Sequence, residues 1–312
     1  MNYNFQCPEQ KKVRLIVDTD AKNEADDQFA IVHQILTPKF DIKGFIAAHF
    51  EHPFETEFFK TIRNIPQKAT MEESYKELQK IMDLMGKEYE HSIFRGAVNA
   101  LPDEQSPVVS EGAKLIVEEA MKDDDRPLFV VFLGAITDLA SAYLMEPKIA
   151  KRLTAVWIGC GVWPEGGPEF NLYQDINAAN VVFSSEIPFW QIPMNAYRQI
   201  RTTFAELQLK VHPYGEIGKY LFEQMVQYNN EWAECSSFPQ GESWVLGDQP
   251  TVSVILESHA GMYEMKPAPS VGEDMRYIHG QNNREIRVYN SIDSRMTLED
   301  FFAKLAINFP KN

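Results

Sequence analysis

Apolar residues in this chain follow two rhythms. Short, nearly continuous runs rich in β-branched residues recur at VRLIVDTD (13–20), IKGFIAAHF (42–50), LFVVFLGAI (128–136) and TAVWIGC (154–160), the composition of strands buried on both faces of a sheet. Between them apolar positions fall at helical spacing. The clearest case is DDQFAIVHQIL (26–36), through Phe29, Ile31, Val32, Ile35 and Leu36. SYKELQKIMDLMG (74–86), SEGAKLIVEEAMK (110–122), TDLASAYLMEPKIAKRL (137–153) and INAANVVFSSE (176–186) follow, with Ser110 placed as an N-cap. This alternation predicts an α/β domain, a mostly parallel wound sheet flanked by helices, and 312 residues suffice for one such domain. Over residues 203–247 the pattern weakens: FAELQLKVH and EIGKYLFEQMVQYNNEWAE read as helices, and a looser stretch runs to LGDQP. This predicts an insertion near the rim.

In an open α/β sheet, ligands bind beyond the carboxyl ends of the strands. Here those ends carry Asp18 to Asp27, His49 to His52, Gly134 to Asp138 and Gly159 to Asn171. Four aspartates lie within VDTDAKNEADDQFA, and carboxylates crowded in a cleft resist ionisation unless a cation sits among them. Oxygen ligands with no His or Cys nearby favour calcium or magnesium over zinc, and the spacing departs from an EF-hand. The plainer alternative has Asp26 and Asp27 capping the following helix while Asp18 and Asp20 end a strand in solvent.

Composition narrows the partners. With 45 acidic against 30 basic residues, a formal charge of −15 and a pI near 5.0, the chain has no excess of Lys and Arg to neutralise phosphates, which argues against nucleic-acid binding. Cys7, Cys160 and Cys235 are odd in number and widely separated, which points to neither a disulfide framework nor a zinc ribbon. No stretch has signal-peptide or membrane-spanning character, so the expected location is the cytoplasm.

Several short motifs, in order along the chain, resemble those of the nucleoside hydrolase family of inosine-uridine preferring type. The aspartate cluster resembles its DxDxxxDD motif with a longer intervening loop, AKNEA. FRGA (94–97), LGAITDLASA (133–142), PEFN (168–171) and GDQP (247–250) resemble further segments. The resemblance implies a single-domain nucleoside hydrolase-like fold and a Ca2+ ion held by Asp20, Asp27, the main-chain carbonyl of Thr137 and Asp248. Asp26 would face a ribose hydroxyl, Glu169 and Asn171 would hold others, and Asp18 would support the cluster. Asp20 would take a proton from water activated by the ion, and an oxocarbenium-like sugar would lose its base. The implied partner is a small-molecule nucleoside, and relatives of this kind are usually homo-oligomers.

The match breaks in three places. Where the family's best-known members have a histidine that protonates the departing base, this chain has Gly247, which protonates nothing. In the loop from Gly161 to Gly167, Glu165 or Trp163 stands near the position of an expected asparagine, so Glu165 is either a hydroxyl contact or part of a plain turn. EHP (51–53) replaces a GN pair. His52, and less so His49, is a rim histidine with either an acid role or a surface role; His33 reads as structural. Trp244, Trp232 and Tyr228 suit either base stacking or core packing, and Arg198 and Arg201 suit either an anionic substituent or a solvated ion pair. Hydrolysis of a ribonucleoside is the preferred reading. A different ribosyl glycoside, or ribose binding without catalysis, stands as the alternative.

Overall fold

A computed structural model describes residues 1–51, 69–233, 240–281 and 284–311, without the Glu88 side chain. In chain order the elements are β1 (Val13–Thr19), α1 (Asp27–Ile35), β2 (Phe40–Ala47), α2 (Thr70–Met85), β3 (Ile93–Arg95), α3 (Glu111–Met121), β4 (Leu128–Phe132), α4 (Thr137–Met145) and β5 (Thr154–Ile158). Then come α5 (Phe170–Gln174), α6 (Ile176–Ser184), β6 (Phe189–Ile192), α7 (Met194–Tyr197), β7 (Arg201–Thr203), α8 (Phe204–Lys210), α9 (Gly215–Ala233) and β8 (Ser243–Val245). The chain continues through α10 (Pro250–Leu256), β9 (Gly261–Pro267), β10 (Ser270–Val271), β11 (Tyr277–Ile278), β12 (Glu285–Ile292) and α11 (Ser294–Asn308).

Eight strands form the main sheet in the order β3-β2-β1-β4-β5-β6-β12-β9. All neighbours run parallel except β12 and β9. The expected fold is therefore present, and the late strands β12 and β9 extend it beyond the four apolar runs. The alternation of β1 assigns Leu15 and Val17 to one buried cluster with α1, α2 and α9 to α11, and Ile16 to the other with α3, α4 and α6. Strand order reverses at β1: β2 and β3 lie on one side, whereas β4 and its successors lie on the other. Parallel strands diverge there at their carboxyl ends and leave a crevice.

The expected helix over 137–153 is divided. α4 stops at Met145 and a single 3-10 segment covers Pro147–Lys151, because proline lacks the N–H and clashes with the preceding turn. Segment 203–247 contributes α8, α9 and β8, which pairs antiparallel with β7. Among the described residues no helix is long and apolar enough to cross a membrane.

Candidate metal and sugar site

β1 delivers Asp18 and, one residue past its end, Asp20 into the crevice beside β4. Both are fully buried, and among the described residues no hydrogen-bond donor reaches any of their four carboxyl oxygens. Burial, compounded by Asp138 and Asp20 for Asp18 and by Asp27 for Asp20, pushes both carboxyls well above the usual range. Asp20 packs on the β4–α4 turn so closely that a Cβ built on Gly134 would lie 2.6 Å from its Cγ.

The loop between Asp20 and Asp26 is clamped from outside. Asn23 N–H donates back to the Asp20 carbonyl at 2.7 Å, and Gln28 Nε2 donates to Ala21 O at 2.6 Å. Lys22 pairs with buried Glu77 at 3.1 Å. From segment 203–247, Gln224 donates to Ala25 O (2.8 Å), Tyr228 to Asn23 O (3.2 Å) and Trp244 Nε1 to Glu24 Oε1 (2.8 Å). These contacts order a polar loop that has no regular structure of its own.

Asp26 sits at the N-cap of α1, yet its side chain makes no capping bond, which removes the plain capping role. Asp26, Asp27 and Asp248 each turn an oxygen inward, and these oxygens all lie within 4.8 Å of one another. Thr19 Oγ1 donates to Asp27 Oδ1 at 2.5 Å. Burial lifts the Asp27 carboxyl to about 6, with Thr19 and the approach of Asp248 and Asp20 opposing the rise. Asp26 and Asp248 are likewise raised well above the usual carboxylate range, by burial first, then by Glu24 for Asp26 and by Asp26 for Asp248. Buried acids without enough donors, all-oxygen chemistry and a glycine that makes room for Asp20 together fit a hard divalent cation.

Around this cluster lie the residues expected to hold sugar. Glu169 caps α5: Oε2 accepts from Leu172 N–H (2.9 Å) and Cys160 N–H (2.8 Å), and Oε1 accepts from Tyr197 Oη (3.2 Å). Asn171 Nδ2 donates to Leu133 O (2.6 Å) and Ile158 O (2.8 Å). Both amide hydrogens are thereby engaged, and only its Oδ1 is left to meet a ligand.

The model of the family described as inosine-uridine preferring nucleoside hydrolase matches residues 15–299. The chain belongs to that family. It is 23% identical over 208 residues to the pyrimidine-specific ribonucleoside hydrolase RihA of Salmonella paratyphi A, a match covering 62% of this chain and 64% of that protein. The alignment thus spans just under two thirds of its curated relative. Among solved structures of the nucleoside hydrolase fold, the purine-preferring ribonucleoside hydrolase from Gardnerella vaginalis superposes with a TM-score of 0.75 at 18% identity, covering 95% of this chain and 99% of that one. The plant nucleoside hydrolase PpNRh1 superposes with a TM-score of 0.72 at 16% identity, covering 94% and 98%.

Within this nucleoside hydrolase framework several expectations shift. Thr137, expected to offer its main-chain carbonyl, opens α4, and its hydroxyl donates to Asp175 Oδ2 (2.8 Å) and meets His49 Nε2 (3.1 Å). The main chain packed on Asp20 is that of Gly134. His49 is buried with a pKa lowered to about 4 by that burial, so it is neutral and structural at pH 7. His33 is buried between Gln249 and Asp300. Glu165 is exposed, its carbonyl accepting from Tyr277 N–H at 3.1 Å. His52 and Cys235 lie outside the described residues.

The aromatic trio packs on itself: Tyr228 stacks on Trp232 with centroids 4.9 Å apart and meets Trp244 edge-on at 5.7 Å. Tyr228 and Trp244 are buried, so they hold the acidic loop and offer no open face to a base. Arg198 and Arg201 are exposed and line an open cavity of about 570 Å³ with Val162, Met194, Asn195 and Gln199. None of the clustered aspartates lines it. Glu24 and Tyr197 were not singled out from sequence. Glu24 stood in the loop as a charge without a pattern, and Tyr197 becomes visible only once α7 packs beside Glu169.

Proposed function

We propose that this protein hydrolyses the N-glycosidic bond of a ribonucleoside with the help of Ca2+. The observation that carries the reading is the convergence of buried Asp26, Asp27 and Asp248 with Asp20, whose oxygens meet no donor among the described residues, at the switch point of a nucleoside hydrolase family chain. In this proposal Asp20, Asp27 and Asp248 are the carboxylate ligands. The neutral ligand is a main-chain carbonyl of the β4–α4 segment: that of Thr137, as the family resemblance implies, or that of Leu133, which accepts from Asn171 and keeps a second lone pair. Calcium suits a site of mixed carboxylates and carbonyl better than magnesium, which demands near-ideal octahedral geometry. When bound, the ion supplies Lewis-acid activation of water and of a sugar diol.

The chain's own residues do the rest. Asp20 accepts the proton of the attacking water, since no donor competes for its oxygens. Asp26, turned toward Gly247, and Asn171 Oδ1 accept from sugar hydroxyls, and Glu169 Oε1 accepts from another. As the anomeric carbon gains the water oxygen, the bond to the base nitrogen opens with its electron pair, and that nitrogen takes up a proton from solvent water while Asp20 returns its own to solvent after release. Glu165 and His52 are outer contacts in the same proposal, and a homo-oligomer is its expected state in solution.

The test is release of free ribose from a panel of purine and pyrimidine ribonucleosides, with Ca2+ and after chelation. Asp20→Ala should lower turnover by about 10³-fold or more, the range for loss of a positioned base together with ion binding. Tight ribose binding with no release from any nucleoside would replace this reading with that of a non-catalytic sugar-binding protein.

A further inference from the structure

Tyr197 ends α7 and reaches two parts of the site at once. Its hydroxyl donates to Glu169 Oε1 at 3.2 Å, while Oε2 of that carboxylate is already held by the Cys160 and Leu172 N–H groups. The ring lies over Gly247, where a built Cβ would stand 3.1 Å from Tyr197 Cδ2 and 3.5 Å from Asp26 Oδ2. Gly247 is not among the glycines with positive φ, so its backbone conformation is open to any L-residue. What crowds a side chain at 247 is the Tyr197 ring, with Asp26 at ordinary contact distance beside it.

We propose that Tyr197 and Gly247 form a matched pair that determines specificity: the phenol orients Glu169 Oε1 for a sugar hydroxyl, and the ring, seated where a side chain at 247 would go, limits which N-linked group fits beside Asp26. The inference rests on the function proposed above. Tyr197 acts as a hydrogen-bond donor and a wall, and no proton transfer is assigned to it. Burial, then the neighbouring Glu169 carboxylate, raise its pKa well above the ordinary phenol value, so it stays protonated and is a weak acid. Glu169 Oε1 retains a lone pair after accepting from it, which leaves room for a ligand hydroxyl on the same oxygen. A side chain that only braced α7 against α5 would affect stability without altering discrimination between leaving groups.

The experiment compares the wild type with Tyr197→Phe, Tyr197→Ala, Gly247→Ala and the Tyr197→Ala/Gly247→Ala double variant, each with Ca2+. Ribose release from uridine and from inosine is measured together with thermal midpoints. Tyr197→Phe, which keeps the ring and the packing, should raise KM for both nucleosides by about tenfold while kcat moves by less than about threefold, as loss of one uniform binding contact does. Tyr197→Ala should change the uridine-to-inosine ratio of kcat/KM by about tenfold or more. Gly247→Ala should lower kcat/KM by about tenfold beside Tyr197 and by less than about twofold in the Tyr197→Ala background, the signature of coupled neighbours. Unchanged KM in Tyr197→Phe together with an unchanged ratio in Tyr197→Ala overturns the proposal. Equal effects of Gly247→Ala in both backgrounds do the same. A wild type that releases no ribose from either nucleoside refutes the hydrolase reading instead. The pair is then judged by calorimetric binding of D-ribose, where Tyr197→Phe should weaken binding about tenfold and an unchanged affinity would sink it.

Discussion

Asp20 and Gly134 show how one missing side chain can shape a site. The carboxyl of Asp20 occupies the volume that a Cβ at 134 would take, and relief would require moving either the β4–α4 turn or the aspartate. Gly134→Ala is therefore expected to destabilise the fold by about 1–3 kcal/mol, as overpacking of a filled interior does. It should also abolish most of the rise in thermal midpoint that Ca2+ produces; scanning calorimetry with and without Ca2+ reads both effects. A variant that kept the full calcium response would remove Asp20 from the ligand set. The four aspartates were legible in sequence because like charges at close spacing demand a counter-charge wherever they fold. Only the packing of α4 shows the Thr137 hydroxyl turned to Asp175 and Gly134 facing Asp20.

At the level of elements, helix ends and helix contacts hold the carboxylates in place. Ser110 caps α3 by accepting from Ala113 N–H at 2.8 Å, and it also donates to buried Asp138, which in turn accepts from Ala97 N–H. Ser110→Ala should cost about 1–2 kcal/mol in urea unfolding, since a cap and a buried partner are lost together. The N-cap was readable from local sequence, whereas its second partner, 28 positions away, was not. On the opposite face α11 supports the Asp248 turn: Asp300 Oδ2 lies 2.8 Å from His33 Nε2, and His33 Nδ1 lies 2.5 Å from Gln249 Oε1. Burial alone would raise the Asp300 pKa, but His33 and Lys304 outweigh it and hold the carboxyl at about 2; Tyr3, on the N-terminal segment, adds a neutral phenol nearby. A folded-state value below the unfolded value of about 3.9 stabilises the fold above about pH 4, and that contribution disappears as pH falls toward 2. The difference in urea midpoint between the wild type and Asp300→Asn should accordingly shrink below pH 4, as the carboxyl is protonated. A difference that stayed undiminished down to about pH 2 would contradict the ion pair.

For the molecule as a whole, a ligand that binds only the folded state stabilises it by mass action. Ca2+ at about 100 times its Kd should add about 2.7 kcal/mol to unfolding, with chelation reversing the gain and Mg2+ at equal concentration giving less. A thermal midpoint indifferent to Ca2+ and to chelator would defeat the calcium assignment. The alternation of apolar runs and helical spacing determined the parallel sheet, because strands covered on both faces cannot tolerate polar interruption and the record of that is written locally. The same holds for the clustering of carboxylates in VDTDAKNEADDQ, whose charges are close together in the chain. Sequence could not establish that β4 crosses to the far side of β1 and opens the crevice, that Pro147 ends α4, or that segment 203–247 reaches back to clamp Asn23, Glu24 and Ala25. Nor could it reveal that Tyr197 fills the space left by Gly247, 50 residues later in the numbering. Those outcomes depend on contacts between residues far apart in the chain, whose energies exist only after the elements have packed.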